Sequence, residues 1–327
     1  MLVMDYEDGR WKAPEIKEVA KFNIHPANLA LHYGQSIFEG MKAAKDTEGN
    51  PMLFRVDQHA KRINASARRM CMPEIPEDLF CEGIHILVDL DKGWIPPGEG
   101  SSLYLRPFMF ATDEFIGVRP SNNYRFVIFT CPVGPYYSKA VSLIAEDTYV
   151  RATPGGVGEA KTSGNYAASL YPAQRAIEKG YDQVMWMDPY KFKYIQEVGT
   201  MNIFFVMRDK VYTPKLNGAI LKGITRDSVI QILKATGKKV IEKPLSINKV
   251  IKAYRKGELQ EVFGSGTAAV ISPVYKVAAK GIEMVLDPEK YVIAPFLKAQ
   301  IEGIRKGEIE DSFGWTEKVK ATSVAPV

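Results

Sequence analysis

Three cysteines in 327 residues are too few and too scattered for a disulfide framework. Cys71, Cys81 and Cys131 match no zinc-ligand spacing, so they read as reduced thiols of a cytoplasmic protein. The four histidines, His25, His32, His59 and His85, fall in no ligand pattern, and no metal is expected. No run of about 18 apolar residues occurs, which argues against a membrane-spanning helix. The first residues, Met1-Leu-Val-Met-Asp-Tyr-Glu-Asp8, lack the basic stretch followed by an apolar run that marks a signal peptide. Charge of one sign is never concentrated: 43 Lys and Arg stand among 38 Asp and Glu, interspersed. That excludes a nucleic-acid stripe and suits an enzyme of small anionic substrates. Repeats and low-complexity tracts are also missing.

What is present is apolar mass enough for sizeable cores, 46% of the chain, at a length that suits one large or two moderate domains. The first half mixes segregated strands and helices, an α+β pattern. Asp57 is expected to cap a helix running to about Met70, and a second runs from about Glu77 to Asp91. Ser102–Pro107 alternates as a strand, so Tyr104 and Arg106 share a face. Pro132-Val-Gly134-Pro135 breaks the strong strand 124–131. The boundary is therefore expected at 133–140, between domains 1–132 and 141–327. In the second half Ala167–Lys179 reads as a helix, and Thr225 as the N-cap of a helix to about Thr236. Ser246 reads as the cap of another, and 293–307 as a late helix.

The stretch Gly155-Gly-Val-Gly-Glu-Ala-Lys161-Thr-Ser-Gly-Asn-Tyr166 sets one lysine in a glycine-rich loop. Glycine permits the backbone to approach a ligand closely, as covalent chemistry at Lys161 requires. A free lysine amine titrates near about 10.4, so a nucleophilic one needs surroundings that favour its neutral form. Two elements suit a phosphate monoester: the amides at the helix opening Ile224-Thr225, and the Gly264-Ser-Gly-Thr267 turn. Arg62 could supply the charge. A lysine nucleophile with a phosphate cradle points to pyridoxal phosphate. A second reading is a degenerate P-loop, Gly155-x4-Ala160-Lys161-Thr162, with Asp188 as the magnesium acid. Against it stand Ala160 in place of the glycine beside the lysine and the polar run Glu146-Asp-Thr148.

Taken together, the ordered blocks resemble a branched-chain amino-acid aminotransferase, a class IV, fold type IV pyridoxal-phosphate enzyme. They are Tyr33-Gly-Gln-Ser-Ile-Phe-Glu-Gly40, Phe54-Arg55 with Lys61-Arg62, Leu103-Tyr-Leu-Arg-Pro107, Lys161-Thr-Ser-Gly-Asn-Tyr166, Glu197-Val-Gly-Thr-Met-Asn202, Gly223-Ile-Thr-Arg226, Gly264-Ser-Gly-Thr-Ala268 and Ile309-Glu-Asp-Ser-Phe-Gly-Trp315. The resemblance implies a two-domain α+β fold: a smaller N-terminal domain, a larger one with a barrel-like sheet, and the cofactor at the domain interface. It implies that Lys161 holds pyridoxal 5'-phosphate as a Schiff base and that Glu197 bonds the pyridine nitrogen. Arg62, the amides of Ile224 and Thr225, and Thr267 would bind the phosphate, with Tyr166 beside the phenolic oxygen. Tyr104 and the backbone at Thr267-Ala268 would take the substrate α-carboxylate. Tyr33, Phe38 and Tyr166 would line an aliphatic pocket, and Arg106 would meet the side-chain carboxylate of glutamate. The implied reaction moves the amino group of leucine, isoleucine or valine to 2-oxoglutarate, in a homodimer or larger assembly. A D-amino-acid transaminase or aminodeoxychorismate lyase is the related alternative. Some members carry a Cys-x-x-Cys pair where this chain has Ala269 and Ser272, so no thiol switch is expected there.

Overall fold

A computed structural model describes residues 1–98, 100–134 and 139–322. The expected linker at 133–140 thus falls partly outside the described residues. The chain forms two units. The first takes the described residues of Met1–Tyr136, Ala160–Gly164 and Gly303–Val327, and the second those of Tyr137–Glu159 and Asn165–Glu302.

The first unit is built on a nine-stranded antiparallel sheet. Its order is Thr316–Lys318, Pro51–Phe54, Met41–Lys45, Ser102–Ala111, Tyr124–Val133, Leu2–Glu7 and Arg10–Trp11. Ser36–Phe38 adds to Ser102–Ala111, and Glu15–Ile16 to Leu2–Glu7. Ser102–Ala111 and Tyr124–Val133 pair without a break from Ser102↔Val133 to Ala111↔Tyr124. Helices Val56–Arg69 and Glu77–Leu90 present Val56, Ala60, Ile63, Ala67, Phe80, Ile84 and Leu87 to one core with Leu103, Leu105, Met109 and Phe126. Those positions recur at three or four residues, the spacing of one helix face. Asp57 is not the cap. Arg55 holds that position in the left-handed region at φ 55°, while Asp57 sits in the first turn and binds Gln58 and Lys61.

The second unit carries a ten-stranded mixed sheet. Its order is Lys239–Glu242, Lys210–Thr213, Asn202–Met207, Leu259–Gly266, Val270–Ala279, Val141–Ala145, Gln183–Met187, Tyr194–Val198 and Leu245–Ser246, with Ile282–Val285 on Val270–Ala279. Three pairings are parallel, Lys210–Thr213 with Lys239–Glu242 and Val141–Ala145 with both of its neighbours. Bulges interrupt the ladder at Trp186/Met187 and Val206/Met207, which sharpens the twist of a curled sheet. Met185, Ile195, Ile203, Phe205, Val262 and Val277 form the core.

Two expectations about helix starts are corrected. The segment after the lysine loop is two helices, Ser163–Ala167 and Leu170–Glu178. The Ser169 amide and hydroxyl both bond the Tyr166 carbonyl and end the first one. Gly223, not Thr225, is the N-cap of Ile224–Ala235. A Cβ at 223 would lie 2.0 Å from Asn202 Oδ1, so only glycine fits. Ser246 does cap Ile247–Arg255, accepting from the Lys249 amide.

Candidate active site

In the first unit the lysine is fixed by its backbone. The Lys161 amide donates to Ser66 Oγ at 2.9 Å, and its carbonyl accepts from the Phe38 amide at 3.0 Å. Thr162 makes an isolated bridge with Ile37, and its hydroxyl donates to the Ser36 carbonyl at 2.8 Å. Residues 161–162 therefore run along the free edge of Ser36–Phe38, whose other edge pairs with Phe108–Phe110. Ser66 lies one turn beyond Arg62 on the same helix and donates to the Arg62 carbonyl at 3.1 Å. One helix thus carries Arg62 and docks the lysine segment.

The side chains converge as well. Lys161 Nζ lies 5.0 Å from the centroid of the Phe38 ring, and the Arg106 guanidinium 4.8 Å from it. Arg106 Nη2 donates to the Tyr104 hydroxyl at 2.9 Å, so the two share a face as their spacing required. The Tyr104 hydroxyl occupies space that a Cβ at Gly40 would fill, at 2.1 Å. Phe38, Tyr104, Arg106 and Lys161 are brought together. Tyr33 stands apart: it ends helix Leu29–Tyr33, is 38% exposed and lies beside His32.

Beneath this group lies a charged cluster that the sequence did not suggest. Glu39 is fully buried and binds Arg62 and His59. Burial alone would raise its pKa, but the Arg62 guanidinium and the His59 hydrogen bond hold the carboxyl well below its usual range. Burial pushes His59 down, more than Glu39 pulls it up. A neutral His59 presents Nδ1–H to the carboxylate, since an ionised carboxylate only accepts.

In the second unit Asn202 is the hub. Its Nδ2 donates to Glu197 Oε1 at 3.2 Å and to the Leu221 carbonyl at 3.0 Å. Its backbone pairs with Ser265, and its Oδ1 abuts Gly223. The structure therefore assembles Glu197 and the Ile224-Thr225 helix opening around the Asn202 side chain, and the 264–267 segment against its backbone. Glu197 is buried and ion-paired to Arg151, which also donates to the Ala219 carbonyl at 2.5 Å. Tyr166 lines a narrow cleft with Glu197, Arg151, Thr200 and Leu221. Ile224 and Thr225 are buried in the first turn of a helix without a side-chain cap. Thr267 and Ala268 form the turn between Leu259–Gly266 and Val270–Ala279 and are half-buried.

Arg151, Asn202, Glu39, His59 and Ser66 were not foreseen. Their roles depend on contacts between distant segments, and nothing local marks them. The glycine argument also changes. Gly158 is pressed against the Ala219 carbonyl and the Ala152 methyl, with a Cβ excluded at 2.5 and 2.4 Å, so it serves packing of the loop. Gly155, at φ 81°, serves a turn. The P-loop alternative loses its acid: the Asp188 carboxylate accepts from the amides of Lys191, Lys193 and Tyr194.

The groups present fit a phosphorylated pyridine. A buried carboxylate with a compensating arginine suits a ring nitrogen. An uncapped helix opening, held close by the glycine at 223, suits a phosphate, as does the buried Ser265 hydroxyl, which lacks a partner among the described residues. Among the described residues no group of three or more His, Cys, Asp or Glu could hold a metal ion.

Comparison with known proteins agrees. The family described as Amino-transferase class IV matches residues 36–277. A probable branched-chain-amino-acid aminotransferase of Staphylococcus epidermidis is 50% identical over 325 residues, 98% of this chain and 90% of the relative. Branched-chain-amino-acid aminotransferase 2 of Bacillus subtilis is 47% identical over 326 residues, with the same coverage. The crystal structure of the Escherichia coli branched-chain amino acid aminotransferase is similar at TM-score 0.78 and 30% identity, covering 97% of this chain and 99% of that one. That of the T.th. enzyme complexed with N-(5'-phosphopyridoxyl)-L-glutamate is similar at TM-score 0.78 and 26% identity, covering 98% of each. This chain, a two-unit mixed α/β protein of fold type IV, belongs to the class IV aminotransferase family.

Proposed function

We propose that this protein is a branched-chain amino-acid aminotransferase. It transfers the amino group of L-leucine, L-isoleucine or L-valine reversibly to 2-oxoglutarate, with pyridoxal 5'-phosphate on Lys161. The observation that carries the reading is the setting of Lys161: its backbone is clamped by Ser66 and Phe38, and its amine projects over Phe38 beside Arg106. The names of relatives about half identical over nearly the whole chain support the substrate class. A homodimer or larger assembly in the cytoplasm is part of the same proposal.

When bound, the cofactor supplies an aldehyde carbon for amine exchange and a protonated ring that draws electrons from the substrate Cα. The Lys161 amine would hold it covalently and, when free, would be the base that moves the substrate Cα proton. Glu197 would accept the ring N–H, and Arg151 compensates the Glu197 charge. The Ile224 and Thr225 amides, the Thr267 hydroxyl and Arg62 would bind the phosphate, while Tyr166 would meet the phenolic oxygen. Tyr104 and the turn at Thr267-Ala268 would hold the α-carboxylate, and Phe38 and Tyr166 would contact the aliphatic side chain, Tyr33 standing apart. Arg106 pairs with the second carboxylate of glutamate, which lets one pocket take both substrates.

An absorbance spectrum tests this. The protein is expected to be yellow and to change colour with L-leucine or L-glutamate but not with D-alanine. Borohydride should fix the cofactor to Lys161, and Lys161→Ala should abolish turnover. A colourless preparation, or a Lys161→Ala protein with full activity, would refute it.

A further inference from the structure

The peptide of Lys161 and the helix that carries Arg62 belong to one closed hydrogen-bonded circuit in the first unit. Ser66 Oγ accepts from the Lys161 amide at 2.9 Å and donates to the Arg62 carbonyl at 3.1 Å, four residues back on Val56–Arg69. The Lys161 carbonyl accepts from the Phe38 amide at 3.0 Å. The residue after Phe38 is Glu39, whose carboxylate takes both ends of the Arg62 guanidinium. The circuit therefore runs from Arg62 through Ser66 to Lys161, then through Phe38 and Glu39 back to Arg62.

The chemistry of Ser66 says what its hydroxyl does there. A hydroxyl has one proton to give. Here that proton goes to the Arg62 carbonyl, the usual back-bond of a serine inside a helix. Only lone pairs then remain, and they suit an N–H: the amide of a residue 95 positions further along the chain. A serine engaged in this way passes no proton to the lysine amine and acts on the backbone alone. It is 1% exposed, beside Ile63 and Ala67 of the core, so water is a poor substitute. The helix does not need the hydroxyl, because the Arg62 carbonyl also lies in register to accept the Ser66 amide. Thr162 holds the next residue independently, through the Ser36 carbonyl and the bridge to Ile37. Loss of the hydroxyl thus loosens the lysine peptide and leaves its strand edge in place.

We propose that Ser66 is a positioning residue for Lys161, fixing the lysine peptide to the helix of the phosphate arginine so that amine and anchor keep one spacing. The proposal rests on the reading of Lys161 as the cofactor lysine. Its consequence is selective. The aldehyde cofactor needs the anchor and the amine in register together. Pyridoxamine 5'-phosphate makes no bond to the lysine and needs the anchor alone.

The test is titration of the full chain, stripped and reloaded, with pyridoxal 5'-phosphate and with pyridoxamine 5'-phosphate. Ser66→Ala should weaken the aldehyde about tenfold or more and the amine form less than about threefold, the order expected when a buried amide loses its acceptor. With pyridoxamine 5'-phosphate bound to both proteins, the Lys161 amide should exchange its hydrogen about tenfold faster in the variant than in the parent. The Phe126 and Ile128 amides should exchange alike in the two. Ser66→Thr, which keeps the hydroxyl, should restore the parent's preference between the two forms. Ser66→Cys, a weak acceptor of similar shape, should not, and it serves if Ser66→Ala misfolds. Equal weakening of both forms, or unchanged exchange at Lys161, would overturn the proposal. A parent protein that binds neither form would instead defeat the cofactor reading, so the two failures are distinguishable.

Discussion

Glu39 grips Arg62 at two points, Nε to Oε1 at 2.6 Å and Nη2 to Oε2 at 2.7 Å, with no part of the carboxylate open to solvent. Two parallel bonds fix the plane of a guanidinium as one cannot. Glu39 is therefore a positioning residue for the arginine assigned to the phosphate. Glu39→Gln removes the counter-charge from a buried guanidinium, a loss of about 3–5 kcal/mol for a broken buried pair. The cofactor concentration for half-saturation should rise tenfold or more, and kcat at full loading should fall less. Denaturant titration and cofactor titration check both, and a variant with unchanged stability and loading would remove the role.

The same cluster sets an acid limit. The folded pKa of His59 lies below its ordinary value near 6.5, so below that pH the unfolded chain binds the proton more readily and stability falls. Glu39 is depressed too, so its contribution is complete above about 4.3 and is lost only as pH drops toward its folded value. The melting temperature should therefore start to decline near pH 6.5 and steepen below about 4. His59→Gln, which can still donate to Glu39, should flatten the upper part of the decline and leave the lower. A profile identical to that of the parent between pH 5 and 6.5 would refute the assignment to His59.

The elements were largely legible from the chain, because periodicity and punctuation are local. A helix from about residue 57 to 70, strands at 102–107 and 124–131, and the cap at Ser246 are readable locally, while the pairing of the two strands is seen only in the fold. Starts that depend on a distant atom were not. Thr225 has the chemistry of a cap, yet Asn202 reaches across and admits only glycine at 223. The candidate site divides the same way. Lys161, Glu197 and Arg62 stand in recognisable blocks. Their partners Ser66, Arg151 and Glu39 are ordinary polar residues until folding sets them opposite a charge or an amide. Phe38-Glu39-Gly40 reads as a pocket turn, and only the fold shows that its glutamate is buried beneath an arginine.

Gly40 offers a direct probe of the substrate end. Its missing side chain makes room for the Tyr104 hydroxyl, which in turn accepts from Arg106. Gly40→Ala must push the tyrosine aside, and overpacking of this kind costs about 1–3 kcal/mol. The expected result is a KM for leucine and for glutamate raised about tenfold, the equivalent of about 1.4 kcal/mol, with a smaller change in kcat. Steady-state kinetics on both substrates decide it. An unaltered KM for each would show that Tyr104 and Arg106 do not hold the substrate.

Asn202 gives the sharpest test of the second unit, because two substitutions there should be ordered. Asn202→Ala deletes the donor to Glu197 and to the Leu221 carbonyl, and stripping buried acceptors of a donor costs about 1–3 kcal/mol. Asn202→Asp keeps the shape but replaces the donor with a second carboxylate facing Glu197, a like-charge pair in a buried site. If Asn202 acts by donating to Glu197, cofactor retention on dialysis should fall in the alanine variant and fall further in the aspartate variant. If Asn202 merely fills space, the isosteric aspartate should be the milder change at every pH, and its role as the hub of Glu197, Leu221 and Gly223 would have to be withdrawn.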